Sequence, residues 1–457
     1  MNLQSRIDRF LATHQVAEVY ARRVNHFYTK YLTSLGLADV VFTDHDTHHL
    51  VDRDGNRYLD LVAGYGACYW GRAEFVRDAA RQALELRMPS LVQFSHSVLG
   101  AMLAEALVSY AGGDFDRVFF TNGGAESTDY ALKMARMVTG RSRMVCFTMG
   151  YHGLTLGALG VNGSVKHQKM FGVDGPAIVL PLNDAEALTE AFRRHGREIA
   201  GVIVEPVVAR TGEVASAEFM RLARALCDQY GSLLICDEIK TGFGRTGKPF
   251  CYQWSGVVPD IITVAKGLSG GVSAVGAVLS REHLYRKVFD SIEKIAVYSS
   301  TFKENHVAMA VGLAVLDAFD RQPGIYDHVK GAEALVRQQL ATSEGSPVSY
   351  TIGGRGLVLT IGASSAVRTN LVRALVDKVE GDAIPGILCR RLFAEHRILV
   401  SLPNRFGASV ALIPALDLPH AELGHFTTSL RAVAGEMATE SNWRTLREVV
   451  ADARAVL

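Results

Sequence analysis

From about residue 100 onward, short apolar runs alternate with amphipathic segments, and this alternation restricts the folds that the chain can adopt. Runs such as "RVFFTN", "RMVCFT", "AGVIVEPV", "SLLICDE" and "IITVAK" are rich in β-branched residues and show no polar alternation. Strands of that kind are buried on both faces. The intervening segments "AESTDYALKMARMV" and "AEFMRLARALCDQYG" have helical spacing. We therefore predict an α/β fold with a mostly parallel sheet covered by helices on both faces.

The chain has 457 residues, of which 48% are hydrophobic, so it can bury one or two large cores. We predict an N-terminal helical segment over 1–50, a large α/β domain over 51–330 and a smaller α+β domain over 331–457. The first 35 residues are predicted as a helix that contributes to the smaller domain. The stretch "HHLVDRDGNRYLDLVAG" predicts a hairpin with an Asp54-Gly55 turn.

Charge and cysteine content exclude several classes of protein. The 48 basic and 47 acidic residues give a formal net charge of +1, which argues against an electrostatic nucleic-acid binder. No run approaches the roughly 18 apolar residues of a membrane span, and the first residues do not resemble a secretory signal. The six cysteines have no metal-ligand spacing and suit a reducing compartment. We expect a soluble, cytoplasmic protein without a metal site.

The residues 242–247, "GFGRTG", satisfy the G-x-G-x-x-G pattern of dinucleotide-binding turns. That pattern requires a strand directly before it and a helix beginning within it. Here the strand ends before Asp237, and the following "KPFCYQWSGVVPD" has no helical spacing. We therefore predict a tight loop. A nicotinamide-dependent oxidoreductase, the alternative from another class, has no other support in the sequence.

Three strand ends carry polar groups that could act together in one binding site. Lys266 follows "IITVA" and Asp237 ends "LLICD", so both lie at the edge where ligands gather in parallel sheets. A lone lysine there most often extends to solvent, and a lone aspartate often caps a loop. Gly123-Gly124 precedes a helix whose first N–H groups can bind an anion, although most such turns bind nothing.

Together these groups suit pyridoxal 5'-phosphate. A lysine with a depressed pKa forms a Schiff base with its aldehyde. A buried carboxylate pairs with the pyridine nitrogen, and the helix N-terminus holds the phosphate. Tyr151 offers a ring that can stack on the cofactor.

The blocks "TNGGAESTDYALK", "YHG", "VIVEPV", "LLICDEIKTGFGRTGK", "PDIITVAKGLSGG" and "SSTF" resemble those of class-III (ornithine/ω-amino acid type) aminotransferases in order and spacing. The resemblance spans about residues 50–330, and "GGRGLVLTI" around Arg355 continues it. It implies a fold-type I, pyridoxal-phosphate-dependent transferase with a large domain and a smaller one. Scaffolds without activity are disfavoured, since Lys266, Asp237 and Tyr151 are all present.

The resemblance also implies residue roles. Lys266 is the Schiff-base lysine and Asp237 the partner of the pyridinium. Gly124 and Ala125 donate backbone hydrogen bonds to the phosphate, beside Gly123, where relatives have Ser or Gly.

Further roles follow from the same resemblance. Tyr151 and Ile239 cover the two faces of the cofactor ring, with His152 either in contact or structural. Glu205 approaches Asp237 or the cofactor. Thr301 reaches the phosphate of the neighbouring subunit, which implies a homodimer with shared active sites.

Departures from the family pattern leave alternatives open. Lys240 stands where relatives commonly carry Gln near the cofactor's phenolic oxygen, and it is a second lysine to distinguish from Lys266. Arg210 and Arg405 are candidate carboxylate-binding residues. The aromatic side chains of "AGYGACYWGRAEFV", Tyr65, Tyr69 and Trp70, predict a pocket with aromatic walls.

The sequence thus predicts an aminotransferase that moves an amino group between an amino acid or amine and an oxo acid, aldehyde or ketone in a ping-pong cycle. The same machinery supports decarboxylation, epimerisation or carbon–carbon bond formation on an amino acid, which is the alternative function.

Overall fold

The computed structural model describes residues 2–92, 94–173, 177–341, 348–365, 383–402 and 409–439. Its helices are α1 Leu3–Thr13, α2 Val16–Arg23, α3 His26–Ser34, α4 Ala63–Gly66, α5 Glu74–Glu85, α6 Val98–Tyr110, α7 Gly124–Thr139, α8 Leu156–Leu159, α9 Val165–Met170, α10 Ala185–His195, α11 Ala217–Tyr230, α12 Glu282–Val288, α13 His306–Arg321, α14 Ile325–Gln339, α15 Ala383–His396 and α16 His420–Thr439. Its strands are β1 Phe42–His45, β2 His49–Asp52, β3 Arg57–Asp60, β4 Arg117–Thr121, β5 Arg143–Phe147, β6 Ile178–Leu180, β7 Ile199–Val204, β8 Leu233–Asp237, β9 Ile261–Val264, β10 Gly276–Ser280, β11 Val348–Arg355, β12 Val358–Ser365, β13 Ile398–Leu399 and β14 Ser409–Leu412.

A seven-stranded sheet forms the centre of the fold, in the order β4-β10-β9-β8-β7-β5-β6. Strands β9, β8, β7, β5 and β6 pair in parallel, and β10 is antiparallel to both of its neighbours. Every residue of β7, β8, β9 and β10 is buried, as the unbroken apolar runs predict. The predicted α/β fold is confirmed, and its parallel strands end at one common edge.

Helices cover both faces of this sheet, and their ends follow ordinary capping rules. The Ser216 side chain accepts a hydrogen bond from the Phe219 N–H at the start of α11, and Gly231, with φ of 67°, caps the C-terminus of this helix. Helix α7 packs against β4, β7, β8, β9 and β10. On another side, α13 packs against α5 and α6. None of the helices in the described ranges combines the length and apolar content needed to cross a bilayer.

Two smaller sheets involve the N-terminal and C-terminal parts of the chain. The predicted hairpin is confirmed, because β2 and β3 pair in antiparallel fashion around Gly55, whose φ is 81°. Strand β13 adds in parallel to β3, which completes a four-stranded sheet. Strands β11, β12 and β14 form an antiparallel sheet of their own. The domain limits at 50 and 330 stay a prediction.

The prediction of one helix over the first 35 residues is wrong. The chain forms three helices there, α1, α2 and α3. The breaks have a local cause, since His14 and Gln15 are extended between α1 and α2. Asn25 is extended before α3, and its side chain accepts a hydrogen bond from the Tyr28 N–H.

The G-x-G-x-x-G segment is a loop that binds the chain to itself. No helix begins within 242–247, and Gly244 and Gly247 have φ of 78° and 79°. Arg245 within it is fully buried, with its guanidinium 4.1 Å from the centre of the Tyr69 ring. That guanidinium also donates to the backbone carbonyl of Pro414. The glycines therefore serve a tight turn around a buried arginine, as predicted, and offer no dinucleotide site.

Candidate active site

A cavity of about 1070 Å³ lies where β4, β5, β7, β8 and β9 end and α7 begins. Of the eleven residues predicted to contact the cofactor, ten line this cavity: Gly123, Gly124, Ala125, Tyr151, His152, Glu205, Asp237, Ile239, Lys240 and Lys266. The eleventh, Thr301, is exposed and does not line it. Residues separated by some 140 positions in sequence therefore meet in one concave site, because the strand ends converge there.

Asp237 is the last residue of β8 and is almost fully buried. Its Oδ2 lies 2.6 Å from Nδ1 of His152, and its Oδ1 accepts a hydrogen bond from the Ile239 N–H at 3.0 Å. Burial lowers the pKa of His152, but the hydrogen bond and the charge of Asp237 outweigh it, so the pKa is raised. His152 therefore acts through Asp237 by holding this carboxylate in place.

Glu205 follows β7 and is hydrogen-bonded to backbone donors. Its Oε1 accepts from the Tyr151 N–H at 2.8 Å and its Oε2 from the Ala209 N–H at 3.3 Å. Burial raises the pKa of Glu205, the charge of His152 opposes this, and that of Asp237 adds to it. The carboxyl thus fixes the backbone that carries Tyr151.

Lys266 begins a 3₁₀ turn, Lys266–Ser269, directly after β9 and Ala265. Its φ of 25° is positive, a conformation that costs a non-glycine residue energy and that clusters at functional sites. The Ser269 hydroxyl donates to the Lys266 carbonyl at 2.6 Å and closes the turn. Burial lowers the pKa of the Lys266 amine, and the charges of Asp237 and Glu205 only partly oppose that change. A lysine in this state is a good nucleophile and base.

The first turn of α7 meets the cavity at Gly123, Gly124 and Ala125. A Cβ on Gly124 would lie 2.9 Å from Cδ1 of Ile239, whereas a Cβ on Gly123 would meet nothing within 4 Å. The open backbone and the positive end of a 16-residue helix make an anion site. The Ser127 side chain in the same turn does not line the cavity, and its hydroxyl is hydrogen-bonded to the Thr121 hydroxyl at 2.8 Å.

The walls of the cavity differ in part from the prediction. Tyr65 lines it, but Tyr69 and Trp70 are fully buried in the core, so the expectation of three aromatic pocket residues is wrong for two of them. Arg210 also lines the cavity, with its guanidinium 4.8 Å from the centre of the Tyr151 ring. Arg405 lies outside the described residues.

Asn122 is a cavity residue that the sequence reasoning missed. Its side-chain amide donates to the Ser300 hydroxyl at 2.5 Å and to Glu126 Oε2 at 3.1 Å. The amide thus joins the rim of the cavity to the loop that carries Thr301. Its position directly before Gly123 was the available signal in the sequence, because a residue next to an anion-binding turn lies close to the same cavity.

Comparison with known proteins identifies the family. The model of the aminotransferase class-III family matches residues 36–396. The chain belongs to the class-III aminotransferases. Aminotransferase PigE of Serratia sp. (strain ATCC 39006) is 30% identical over an alignment of 469 residues. The alignment covers 94% of this chain and 54% of PigE. Acetylornithine aminotransferase of Bacillus subtilis (strain 168) is 36% identical over 318 residues, 68% of this chain and 79% of that protein.

A solved structure agrees. The amine transaminase from an uncultivated Pseudomonas species, solved in its PLP-bound form, superposes with a TM-score of 0.73 at 26% identity. The match covers 86% of this chain and 94% of the amine transaminase. The class-III aminotransferase described here therefore has the fold-type I architecture that the resemblance implied.

Pyridoxal phosphate is the cofactor of this class-III aminotransferase, and the chain is a pyridoxal-phosphate-dependent enzyme of transamination. The cavity fits the cofactor by its donor set. A buried lysine, a buried carboxylate and a helix N-terminus that starts with the glycine pair Gly123-Gly124 open onto one space. None of the comparisons favours decarboxylation, epimerisation or carbon–carbon bond formation.

Proposed function

We propose that Lys266 and Asp237 carry the transamination, with an amino acid or amine as donor and an oxo acid, aldehyde or ketone as acceptor. One observation supports this most strongly. Strands β8 and β9 pair in parallel, with Asp237 opposite Thr263, so the acid and the lysine leave the same sheet edge into the cavity that α7 faces. A lysine and a carboxylate in this arrangement are sufficient to form a Schiff base with pyridoxal phosphate and to pair with its ring nitrogen.

Pyridoxal phosphate, when bound, supplies an aldehyde that condenses with amines and a ring that withdraws electrons. The surroundings of Lys266 favour its neutral amine. Its Nζ can therefore take a proton from the carbon that bears the substrate amino group and later return one. The Asp237 carboxylate lines the cavity and would pair with the protonated ring nitrogen of the bound cofactor. His152 orients that carboxylate.

Other side chains position the reactants. Tyr151 and Ile239 both line the cavity, and each would cover one face of the cofactor ring. The N–H groups of Gly124 and Ala125, which line the cavity at the start of α7, would hold the phosphate. Arg210, stacked on Tyr151, offers a guanidinium that can bind a substrate carboxylate in bidentate fashion.

The experiment that tests the assignment of the lysine is borohydride reduction of the holoenzyme. Reduction fixes the cofactor to the lysine that holds it, and peptide mass spectrometry then identifies that lysine. Label on Lys266 supports the proposal, and label on Lys240 or on a surface lysine refutes it.

Changing Gly124 to alanine is expected to weaken cofactor binding. The new methyl would press on Cδ1 and Cγ2 of Ile239, at 2.9 and 3.1 Å, and displace the side chain that is proposed to cover the ring. Overpacking of this kind costs about 1–3 kcal/mol, so we expect the Kd of pyridoxal phosphate to rise by roughly 5- to 150-fold. A titration followed by cofactor absorbance measures the Kd.

Gly123→Ala is the matched control for Gly124→Ala. A Cβ there meets nothing within 4 Å, and the φ of 174° is extended backbone that alanine adopts without strain. We expect far less loss of affinity. Equal losses in both variants would show that the Ile239 contact is not what holds the cofactor.

We infer that the enzyme is a homodimer. Large apolar side chains are exposed on three segments near the cavity rim, namely Phe94, Val98, Met102, Leu154, Leu156, Ile292, Ile295 and Phe302. A bond between the His306 N–H and the Ser90 hydroxyl, and the Asn122–Ser300 contact, bring these segments together. Exposed apolar side chains grouped in this way are typical of a protein interface. Thr301 lies among them, which supports its proposed reach to the phosphate of the neighbouring subunit.

Subunit complementation tests the dimer and the role of Thr301 together. Thr301→Asp places a negative charge where the partner's phosphate is expected, so each homodimer of this variant should lose activity, as should each homodimer of Lys266→Ala. After both are unfolded together and refolded, the mixed dimer has one site with both changes and one with neither. Activity should recover toward about a quarter of the wild-type sites, because half of the random dimers are mixed.

No recovery in the mixture, together with sedimentation of the wild type as a monomer, would contradict the shared site.

We also propose that the enzyme works in the cytoplasm, because all six cysteines are buried free thiols, as expected in a reducing compartment.

A further inference from the structure

The segment 298–303, which we call the Thr301 loop, is hydrogen-bonded to the start of α7 at two points. The side-chain amide of Asn122 donates to the Ser300 hydroxyl at 2.5 Å, directly before Thr301. The Tyr298 hydroxyl donates to the backbone carbonyl of Glu126 at 3.1 Å. The loop is thus attached to the same helix N-terminus that lines the cavity.

The Asn122 amide is itself held by a carboxylate. Oε2 of Glu126 accepts a hydrogen bond from the Asn122 N–H at 2.8 Å and another from its side-chain Nδ2 at 3.1 Å. Hydrogen bonds to a charged acceptor are stronger than those between neutral groups. Glu126 therefore fixes both the backbone and the side chain of Asn122 in the orientation that reaches Ser300.

Packing anchors the loop on both sides of Thr301. The Tyr298 ring lies 5.3 Å from the Phe119 ring and 4.9 Å from the Tyr130 ring, measured between their centres. Beyond Thr301, the Lys303 amine lies 4.7 Å from the centre of the Phe119 ring. Thr301 itself is exposed between these anchors and does not line the cavity of its own subunit. The fold thus fixes a residue that its own cavity does not use.

We propose that Asn122 is a positioning residue for the cofactor site of the neighbouring subunit. Through Ser300 it holds the Thr301 loop in the place from which Thr301 reaches that subunit's phosphate. A loop that is ordered in advance loses less conformational entropy when it makes its contact, so the contact binds more tightly. This inference rests on the proposed homodimer with shared sites. It adds that the start of α7 serves two phosphates, one through its own N–H groups and one through Asn122.

The first measurement is the Kd of pyridoxal phosphate for each homodimer, from a titration followed by the absorbance of the Schiff base. Ser300→Ala removes the acceptor of the Asn122 amide and should raise the Kd by roughly threefold to tenfold, the factor expected for one net hydrogen bond. Ser300→Thr keeps a hydroxyl and should keep a Kd close to that of the wild type. Thr301→Val removes the proposed phosphate contact itself and should raise the Kd at least as much as Ser300→Ala. Thermal unfolding of each variant shows that it is folded.

Mixed dimers, purified with a different affinity tag on each subunit, show which of the two sites is affected. In each mixed dimer only one subunit keeps Lys266, so only one site forms the Schiff base. When Ser300→Ala is in the subunit that keeps Lys266, the loop that serves this site comes from the other subunit, and the Kd should equal that of the wild type. When Ser300→Ala is in the Lys266→Ala subunit, the Kd should rise as in the Ser300→Ala homodimer. The dimer of wild type and Lys266→Ala is the reference for both.

Two results would overturn the proposal. One is a wild-type Kd in the Ser300→Ala homodimer. The other is the reverse pattern in the mixed dimers, which would show that the Asn122–Ser300 contact supports the site of its own subunit. Failure of the proposed shared site gives a different result, because the two tagged subunits would then not copurify and Thr301→Val would keep the wild-type Kd. That result would overturn this inference together with the proposed role of Thr301.

Discussion

Replacing Lys266 with alanine should remove covalent cofactor retention and lower the rate of transamination by roughly 10⁴-fold, because we propose that this one amine is both the anchor of the cofactor and the base. Pyridoxal phosphate can still occupy the cavity, since the N-terminus of α7 and Asp237 are unchanged. We therefore expect the visible band of free aldehyde. Absorbance spectra, borohydride reduction and single-turnover rates measure the three consequences.

Lys240→Ala is the matched control for Lys266→Ala, because both lysines line the cavity and have lowered pKa values. It should keep the covalent cofactor on Lys266. If the Lys266→Ala protein still retains cofactor after reduction and Lys240→Ala does not, the two lysines have been assigned the wrong way round.

The second large effect is expected for Asp237→Asn. Asparagine has nearly the same shape but no charge, so it cannot stabilise a protonated ring nitrogen at the floor of the cavity. Losing one preorganised charge that acts on the reacting system costs about 3–4 kcal/mol, or roughly 10²–10³-fold in kcat/KM. Steady-state rates with one donor and one acceptor, at saturating cofactor, give the ratio.

The same variant should alter His152. The hydrogen bond and the charge of Asp237 are the main causes that raise the pKa of this buried imidazole, so without Asp237 burial outweighs the charge of Glu205 and the pKa falls. His152 then loses its proton at lower pH than in the wild type, and NMR of the ring protons follows that change. A shifted histidine with unchanged kcat/KM would mean that the Asp237–His152 pair is structural only.

Glu238→Gln is the control for the charge of Asp237. Glu238 is adjacent in sequence and fully buried, and burial raises its pKa to about 7, yet it does not line the cavity. It bonds instead to the Tyr252 N–H and the Thr241 hydroxyl. Removing its charge should leave kcat/KM within a few-fold of the wild type. A loss as large as that of Asp237→Asn would show that any charge change in this region disturbs the site.

The central sheet and the position of the site could be predicted from sequence, because unbroken apolar runs and their polar ends are local patterns. Asp237 at the end of β8 and Lys266 just after β9 are visible as the point where an apolar run stops. The common edge follows from parallel pairing alone.

The direction in which individual side chains point could not be predicted from the sequence. Tyr69 and Trp70 sit in a segment rich in aromatic residues, but their burial is decided by contacts with Gly267, Arg245 and Phe319, all distant in sequence. Ser127 follows the glycines of α7 and still faces the sheet, bonding to the Val264 carbonyl. Spacing along one segment cannot report which neighbour the tertiary fold supplies.

The buried Arg245 limits how the molecule can open. Its guanidinium bonds to Pro414, its backbone carbonyl accepts from the Leu357 N–H, and the Leu416 N–H bonds to the Tyr69 carbonyl. Swinging the C-terminal part away from β8 as a rigid body would strip a cation of its partners in an apolar interior, at a cost of about 1–3 kcal/mol for each lost partner. We therefore expect substrate and product to enter and leave without a rigid-body opening of the fold, past Tyr65 and Leu154, which line the cavity and are exposed to solvent.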